Sequence, residues 1–291
     1  MRVNRSGIQL VVGADGLIGR ALADGLASKE YHVLETTRRV DYLSENRIFL
    51  DLCGNSPKWL PPCPIFAAYL CAGVSSLESC RTKPAHTALV NVHNTVQLAT
   101  LLAARGTFIV YPSSNLVHDG CLPFRKIDDP VCPQSEYGRQ KAEVEKKLLA
   151  LGERASIVRM TKVIGKDTPL LKGWIQKLRK GKEIHPFSDM AMAPVPLHSV
   201  INVLIGVVEL RLSGIVQISG ERDITYEEAA RYIAWRLGVD ANLVQPVSSK
   251  ERGLPREAVP SSTTLDMTRL QKELGIEIPG VWQTLDTVFE P

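Results

Sequence analysis

The chain has 291 residues, 44% of them hydrophobic and 23% charged, with a formal net charge of +4. That length supports one large α/β unit or two smaller domains, and folding buries about 75% of the unfolded surface. Lys and Arg are scattered, which excludes the basic stripe of a nucleic-acid binder, and no apolar run is long enough to cross a bilayer. Met1–Ser6 shows no secretory apolar region followed by a cleavage site, so a cytoplasmic protein is expected. The six cysteines, Cys53, Cys63, Cys71, Cys80, Cys121 and Cys132, make no C-x-x-C pair and no zinc spacing with histidine. Free thiols in a reducing compartment are expected, with no metal site.

Ile8-Gln9-Leu10-Val11-Val12 reads as a short apolar strand. It runs into Gly13-Ala14-Asp15-Gly16-Leu17-Ile18-Gly19 and then an amphipathic helix over Arg20–Ala27. A second strand follows over His32–Thr37. This strand, glycine turn, helix, strand order is the context of a dinucleotide site. Gly13 allows the tight turn, Gly16 lets backbone amides approach a pyrophosphate, and Gly19 lets the helix pack close. The spacing is G-x-x-G-x-x-G, and a glycine-rich turn without ligand is the bland alternative. Where NAD sites place an acid at the second strand's end, this chain has Thr37 and then Arg38-Arg39. A guanidinium suits a ribose 2′-phosphate, so NADP is expected over NAD, the bland alternative being two arginines that end a strand on the solvated rim.

Arg47–Leu52 reads as a third strand with Asp51 near its end, and Asn55–Pro64, with four prolines, as a loop. Ile65–Gly73 reads as a buried fourth strand whose small last residues, Cys71, Ala72 and Gly73, leave room for a cofactor ribose, though close packing alone explains them equally well. Thr87–Leu102 has helical periodicity. Asn91 within it has two readings, support for Lys141 or a solvated or capping asparagine, and the second is the plainer one. Phe108-Ile109-Val110-Tyr111 is a fifth strand ended by Pro112-Ser113-Ser114-Asn115, so Ser114 lies where open parallel sheets place their ligands. A turn-rich loop leads to Tyr137-Gly138-Arg139-Gln140-Lys141 at the start of a helix, with Tyr137 and Lys141 on one face.

A tyrosine in water has a pKa near about 10 and is a poor acid–base group at neutral pH. An ammonium one turn away is expected to favour the phenolate and lower that value. Ser114 is expected to hold the same substrate oxygen by hydrogen bonding. A surface tyrosine with an i,i+4 lysine is the bland reading of the pair alone.

Ala155–Met160 is a sixth strand, closed by Lys162-Val163-Ile164-Gly165. Strands alternating with helices give an α/β fold with a doubly wound parallel sheet of the Rossmann kind. Beyond Gly165 the alternation weakens. Trp174–Lys182 reads as a basic amphipathic helix, His185–Pro196 as a loop, and His198–Leu210 as an apolar helix. Val216–Ser219 reads as a strand, Thr225 as an N-cap with Glu228 completing a capping box, and Leu265–Leu270 as the start of the last helix, with Asp266 at its N-cap. The expected domains are 1–165, binding NAD(P), and 166–291, a smaller α+β substrate lobe. Val216–Ser219 is open to returning to the main sheet.

These residues resemble the extended short-chain dehydrogenase/reductase superfamily, and within it the dTDP-4-dehydrorhamnose reductase branch of sugar-nucleotide reductases. Gly13–Gly19 matches the superfamily's G-x-x-G-x-x-G. Ser113-Ser114-Asn115-Leu116-Val117-His118-Asp119-Gly120 is similar to the branch's S-T-D-Y-V-F-D-G, and Tyr137–Lys141 to its Y-G-R-x-K. The likeness implies catalytic roles for Ser114, Tyr137 and Lys141. It implies cofactor contacts from Gly13, Asp15, Gly16, Leu17, Ile18 and Gly19, from Arg38 and Arg39, from Asp51 and Leu52, from Cys71, Ala72 and Gly73, and from Asn91, Tyr137 and Lys141. NADPH would reduce a keto group on a nucleotide-linked deoxy sugar, with no nucleic-acid or membrane partner and a homodimer left open. Asn115-Leu116 in place of Asp-Tyr, and His118 in place of Phe, depart from the branch beside the substrate and leave the sugar open. Asn115-Leu116 also lacks the Asp-Glu pair of the superfamily's dehydratases. An epimerase retaining NAD stays open, as does a non-catalytic NADP-binding subunit like the regulatory subunit of methionine adenosyltransferase, which resembles this same branch.

Overall fold

The structure is a computed structural model that describes residues 7–54, 59–277 and 280–289. The readings made on Met1–Ser6 and on residues 55–58 of the proline-rich loop lie outside the described residues. Contacts divide the chain into two compact units. One comprises Met1–Val117, Pro133–Arg159 and Ile201–Val216; the other comprises His118–Cys132, Met160–Val200 and Gln217–Pro291.

In chain order the strands are β1 (Ile8–Val12), β2 (Val33–Thr37), β3 (Arg47–Phe49), β4 (Ile65–Leu70), β5 (Phe108–Pro112), β6 (Ala155–Met160), β7 (Lys162–Ile164), β8 (Ala191–Met192), β9 (Pro194–Pro196), β10 (Gly214–Ile218) and β11 (Ile224–Thr225). The α-helices are α1 (Leu17–Ser28), α2 (Leu77–Thr82), α3 (Pro84–Ala88), α4 (Thr95–Ala103), α5 (Glu136–Leu149), α6 (Pro169–Arg179), α7 (Leu197–Glu209), α8 (Tyr226–Leu237), α9 (Thr268–Leu274) and α10 (Val281–Asp286). Seven strands form one sheet in the order β10-β6-β5-β4-β1-β2-β3. The pairs β1·β2, β1·β4, β2·β3, β4·β5 and β5·β6 are all parallel. The order reverses between β1 and β4, so a crevice opens at their carboxyl ends. This is the doubly wound Rossmann arrangement the alternation predicts.

Alternation explains the layers. Leu10, Val12, Ala68, Leu70, Ile109, Tyr111 and Ile157 turn to one sheet face and pack with Leu98, Leu102, Val144 and Leu148 of α4 and α5. Elsewhere in this unit α1 lies close to α7, since a Cβ on Gly25 would come 2.9 Å from Ile201 Cγ2.

The second unit has its own core. Leu171, Trp174, Ile175 and Leu178 recur at helical spacing on α6 and join Ile224, Ile233, Val244 and Leu285. Its small sheets pair β7 with β9 in parallel and β8 with β11 antiparallel. The capping box holds: Thr225 Oγ1 accepts from Glu228 N at 3.0 Å, and Glu228 Oε2 accepts from Thr225 N at 2.6 Å.

Several expected elements differ. α1 begins at Leu17, inside the glycine motif, because Gly16 already serves as N-cap. β3 ends at Phe49, and Asp51 sits in a turn whose carboxylate accepts from Cys53 N at 2.9 Å. The helix expected over Thr87–Leu102 is α3, a π-helical turn over Leu89–Asn94, and α4. Lys162–Ile164 does not close the sixth strand but pairs with β9, which with β8 lies inside the expected His185–Pro196 loop. α6 starts at Pro169, five residues before the expected Trp174. Met267 rather than Asp266 is the N-cap of α9; Asp266 Oδ1 accepts from Thr268 N at 3.2 Å in an Asx turn. α9 is not the last helix, since α10 follows.

Candidate active site

The glycine turn after β1 is fixed by its backbone. Gly13 has φ +86°, which disfavours any side chain, and its N–H donates to Thr36 Oγ1 at 3.0 Å. A Cβ on Gly19 would collide with the Gly13 carbonyl oxygen, so α1 can press into the turn only with glycine there. Gly16 caps α1 without a side-chain hydrogen bond, and the first turn carries no acid. Its amide hydrogens therefore meet an incoming anion with positive polarity.

A cleft of ≈ 300 Å³ opens at this point. Of the expected cofactor residues, Gly13, Asp15, Gly16, Arg38, Asp51, Leu52, Cys71, Ala72 and Gly73 line it, together with Thr36, Thr37, Cys53, Val74 and Val90. An open cleft with a free helix end and an exposed arginine fits a dinucleotide phosphate. Leu17, Ile18 and Gly19 form the first turn of α1. Arg39 is exposed and stacks its guanidinium 5.3 Å from the centre of the Tyr42 ring.

Asn91 is neither solvated nor a cap. It is 5% exposed, its Oδ1 accepts from Val74 N at 2.7 Å, and its Nδ2 donates to Val74 O at 3.0 Å and to Gln140 Oε1 at 2.8 Å. It sits in the π-helical turn, which widens the helix locally. Through these bonds it ties the chain leaving β4 to α5.

Gly138 and Lys141 draw the Tyr137 helix to the Ser114 segment, once the helix start is fixed by its cap. Ser135 Oγ caps α5 by accepting from Gly138 N at 3.1 Å. A Cβ on Gly138 would collide with the Leu116 carbonyl oxygen, so glycine beside Tyr137 permits the approach. Lys141 Nζ then donates to the Pro112 carbonyl at 2.8 Å, at the end of β5. The same ammonium stands 4.3 Å from the centre of the Tyr111 ring and 5.7 Å from that of Tyr137. Ser114 is 9% exposed; its Oγ accepts from Leu116 N at 3.2 Å and is 3.4 Å from Asn115 Oδ1.

The electrostatics correct one expectation. The Tyr137 pKa is raised, not lowered: burial disfavours the phenolate, and the nearby Cys80 thiol adds to the effect. Burial also brings the Lys141 amine down to about 8, against the opposing pull of Glu145, Cys71 and Cys80. The phenol thus keeps its proton at neutral pH, and the lysine keeps most of its charge.

A buried network behind the site escaped the sequence reading. Ser113 Oγ donates to Glu145 Oε1 at 2.5 Å, and Arg159 Nη2 donates to Glu145 Oε2 at 2.8 Å, with the side chains of the ion pair 2% and 3% exposed. An arginine inside the apolar strand Ala155–Met160 was the signal available. Among the described residues no cluster of His, Cys, Asp and Glu could hold a metal, all six cysteines are free, and no helix is long and apolar enough to cross a membrane.

Residues 8–290 match the model of the RmlD substrate binding domain. The chain belongs to that family. Methionine adenosyltransferase 2 subunit beta of Xenopus tropicalis is 26% identical over 287 residues, covering 90% of this chain and 81% of that protein. dTDP-4-dehydrorhamnose reductase of Aggregatibacter actinomycetemcomitans is 25% identical over 289 residues, covering 94% and 95%. Among solved structures, dTDP-4-dehydrorhamnose reductase of Bacillus anthracis in complex with NADP superposes with a TM-score of 0.87 at 20% identity, covering 98% of this chain and 99% of that one. The last likeness is one of fold. It agrees with the RmlD-family membership and with the Rossmann sheet described above.

Proposed function

We propose that this RmlD-family chain is an NADP-dependent oxidoreductase that reduces a keto group on a nucleotide-linked deoxy sugar. The observation that carries the reading is the approach of α5 to the end of β5, through Lys141 to Pro112 O and Gly138 to Leu116 O, in the same unit as the open cleft. The dTDP-4-dehydrorhamnose reductase relative supports the substrate class. Gly13, Gly16 and the first turn of α1 would take the pyrophosphate, and Arg38 the 2′-phosphate. NADPH, when bound, supplies the hydride.

The rest falls to the chain's own groups. Among the described residues Ser114 Oγ has the long approach to Asn115 Oδ1 as the one acceptor for its hydrogen, and it can turn that hydrogen to a substrate oxygen. Tyr137, its proton retained by burial, donates to the same oxygen as negative charge develops there. Lys141 places positive charge close to the ring and compensates the phenolate left behind. In this reading the cofactor falls to 1–165 and the substrate to 166–291, except that Ile201–Val216 belongs to the first compact unit and His118–Cys132 and Met160–Gly165 to the second. A cytoplasmic protein, with a homodimer as one assembly, is part of the proposal.

The test is a screen of keto-sugar nucleotides for NADPH consumption, with the product weighed by mass spectrometry. Tyr137→Phe should lose at least about 10²-fold in kcat while NADPH binding stays nearly unchanged. Full activity in that variant removes the proposed acid. The likeness to methionine adenosyltransferase 2 subunit beta favours a second reading, a non-catalytic NADP-binding subunit. NADPH binding with no turnover across the screen would select it.

A further inference from the structure

One residue of the glycine turn is chemically out of place in a phosphate site. Asp15 lies between Gly13 and Gly16 on the lining of the cleft. A free carboxylate there repels any ligand that carries phosphates. The structure shows how it is restrained. Thr37, the last residue of β2, donates from Oγ1 to Asp15 Oδ2 at 2.7 Å. Arg47, the first residue of β3, donates from Nη2 to Asp15 Oδ1 at 2.8 Å. The pair is partly exposed, at 23% and 27%.

Arg47 also serves a second acid. Its Nε is 3.4 Å from Glu35 Oε2 without making a hydrogen bond. Glu35 faces Arg47 in the register of β2 and β3, and its carboxyl pKa is raised by burial despite that cation. One guanidinium therefore offsets two carboxylates, of which Asp15 lines the cleft that the exposed Arg38 also lines. Arg39 is engaged with Tyr42, whose ring also lies 5.7 Å from the Arg47 guanidinium.

We infer that Arg47, acting through Asp15, decides which dinucleotide this cleft takes: by holding the Asp15 carboxylate it lets a 2′-phosphorylated ribose enter. The inference rests on the reading of the cleft as a dinucleotide site. Arg47 is a positioning residue, since it reaches the cleft lining through the Asp15 carboxylate. Released from Arg47, the Asp15 carboxylate repels the 2′-phosphate and becomes an acceptor for ribose hydroxyls, the contact an acid provides in NAD sites. The latch therefore sets the ratio of the two affinities more than either affinity alone.

The test is calorimetric binding of NADP⁺ and NAD⁺ to the wild type, Arg47→Met, Asp15→Asn and the double variant, with no turnover involved. Arg47→Met should weaken NADP⁺ by about tenfold and change NAD⁺ by less than about twofold. The double variant should recover NADP⁺ affinity, because the charge that Arg47 offsets is gone. Asp15→Asn alone should bind NADP⁺ as well as the wild type or better, and Arg47→Lys should keep the preference. Equal loss of both dinucleotides in Arg47→Met, with no recovery in the double variant, shows a merely structural role and overturns the inference. So does a tenfold loss of NADP⁺ in Asp15→Asn, a variant that keeps every arginine. A wild type that binds neither dinucleotide removes the cleft reading and this inference with it; binding of both with an unmoved ratio removes the inference alone.

Discussion

Lys141 is an amine pulled in opposite directions. Burial disfavours its charge, while the Pro112 carbonyl and the Tyr111 ring receive it. Its pKa falls from 10.5 to about 8 on folding. Between those values the unfolded chain holds a proton that the folded chain has released, so this group makes folding more favourable as pH rises through the window. The buried thiols and phenols, with raised pKa values, act in the opposite sense. The comparison that isolates the lysine is wild type against Lys141→Met. In chemical denaturation of the cofactor-free proteins, the stability of wild type relative to Lys141→Met should climb between pH 8 and 10.5. A difference that stays flat with pH means the ammonium is not desolvated. A second prediction concerns Arg38, exposed on the cleft lining. Arg38→Ala should weaken NADPH by at least about tenfold and NADH by far less, read by fluorescence titration. Equal losses would show that the guanidinium reads no phosphate.

The elements carry these side chains only because their backbones come close. Gly138 is the clearest case, since its α-carbon faces the Leu116 carbonyl. Gly138→Ala should cost about 1–3 kcal/mol of stability by overpacking. It should lower kcat more than it weakens NADPH, because α5 moves off the Ser114 segment while the glycine turn is untouched. Thermal melts and steady-state kinetics on one preparation check both parts. The strands that hold these groups were legible in the sequence because each is an apolar run bounded by turn residues. Tyr137 and Lys141 on one helix followed from spacing alone. The π-helical turn was not legible: Leu89–Asn94 keeps an ordinary apolar pattern, and the widening follows from Asn91 reaching Val74 and Gln140. Nor were β7, β8 and β9, which at two or three residues are too short for any period to show. The pairing of Glu145 with Arg159 was not legible either, because the two lie on different elements that only the fold brings together.

At the scale of the molecule, the sheet order places the crevice between β1 and β4. The second unit is where sequence patterns thinned out. Its core is built from α6, α8 and α10 with two small sheets, and its loops are held by side chains rather than by periodic runs. Asp223, for example, accepts from Ser262, Thr263 and Thr264 across about forty residues of chain. No local pattern announces such a bond, which is why the second unit was less legible than the first. The claim on which the account turns is hydride delivery from NADPH to a sugar carbonyl, with Tyr137 giving the proton. The most direct measurement uses NADPH deuterated at the transferring position of the nicotinamide, a 4-keto sugar nucleotide, and mass spectrometry of the product. The account predicts a reduced sugar carrying a single deuterium with wild type and almost none with Tyr137→Phe. A product without deuterium, or equal labelling by both proteins, would contradict it.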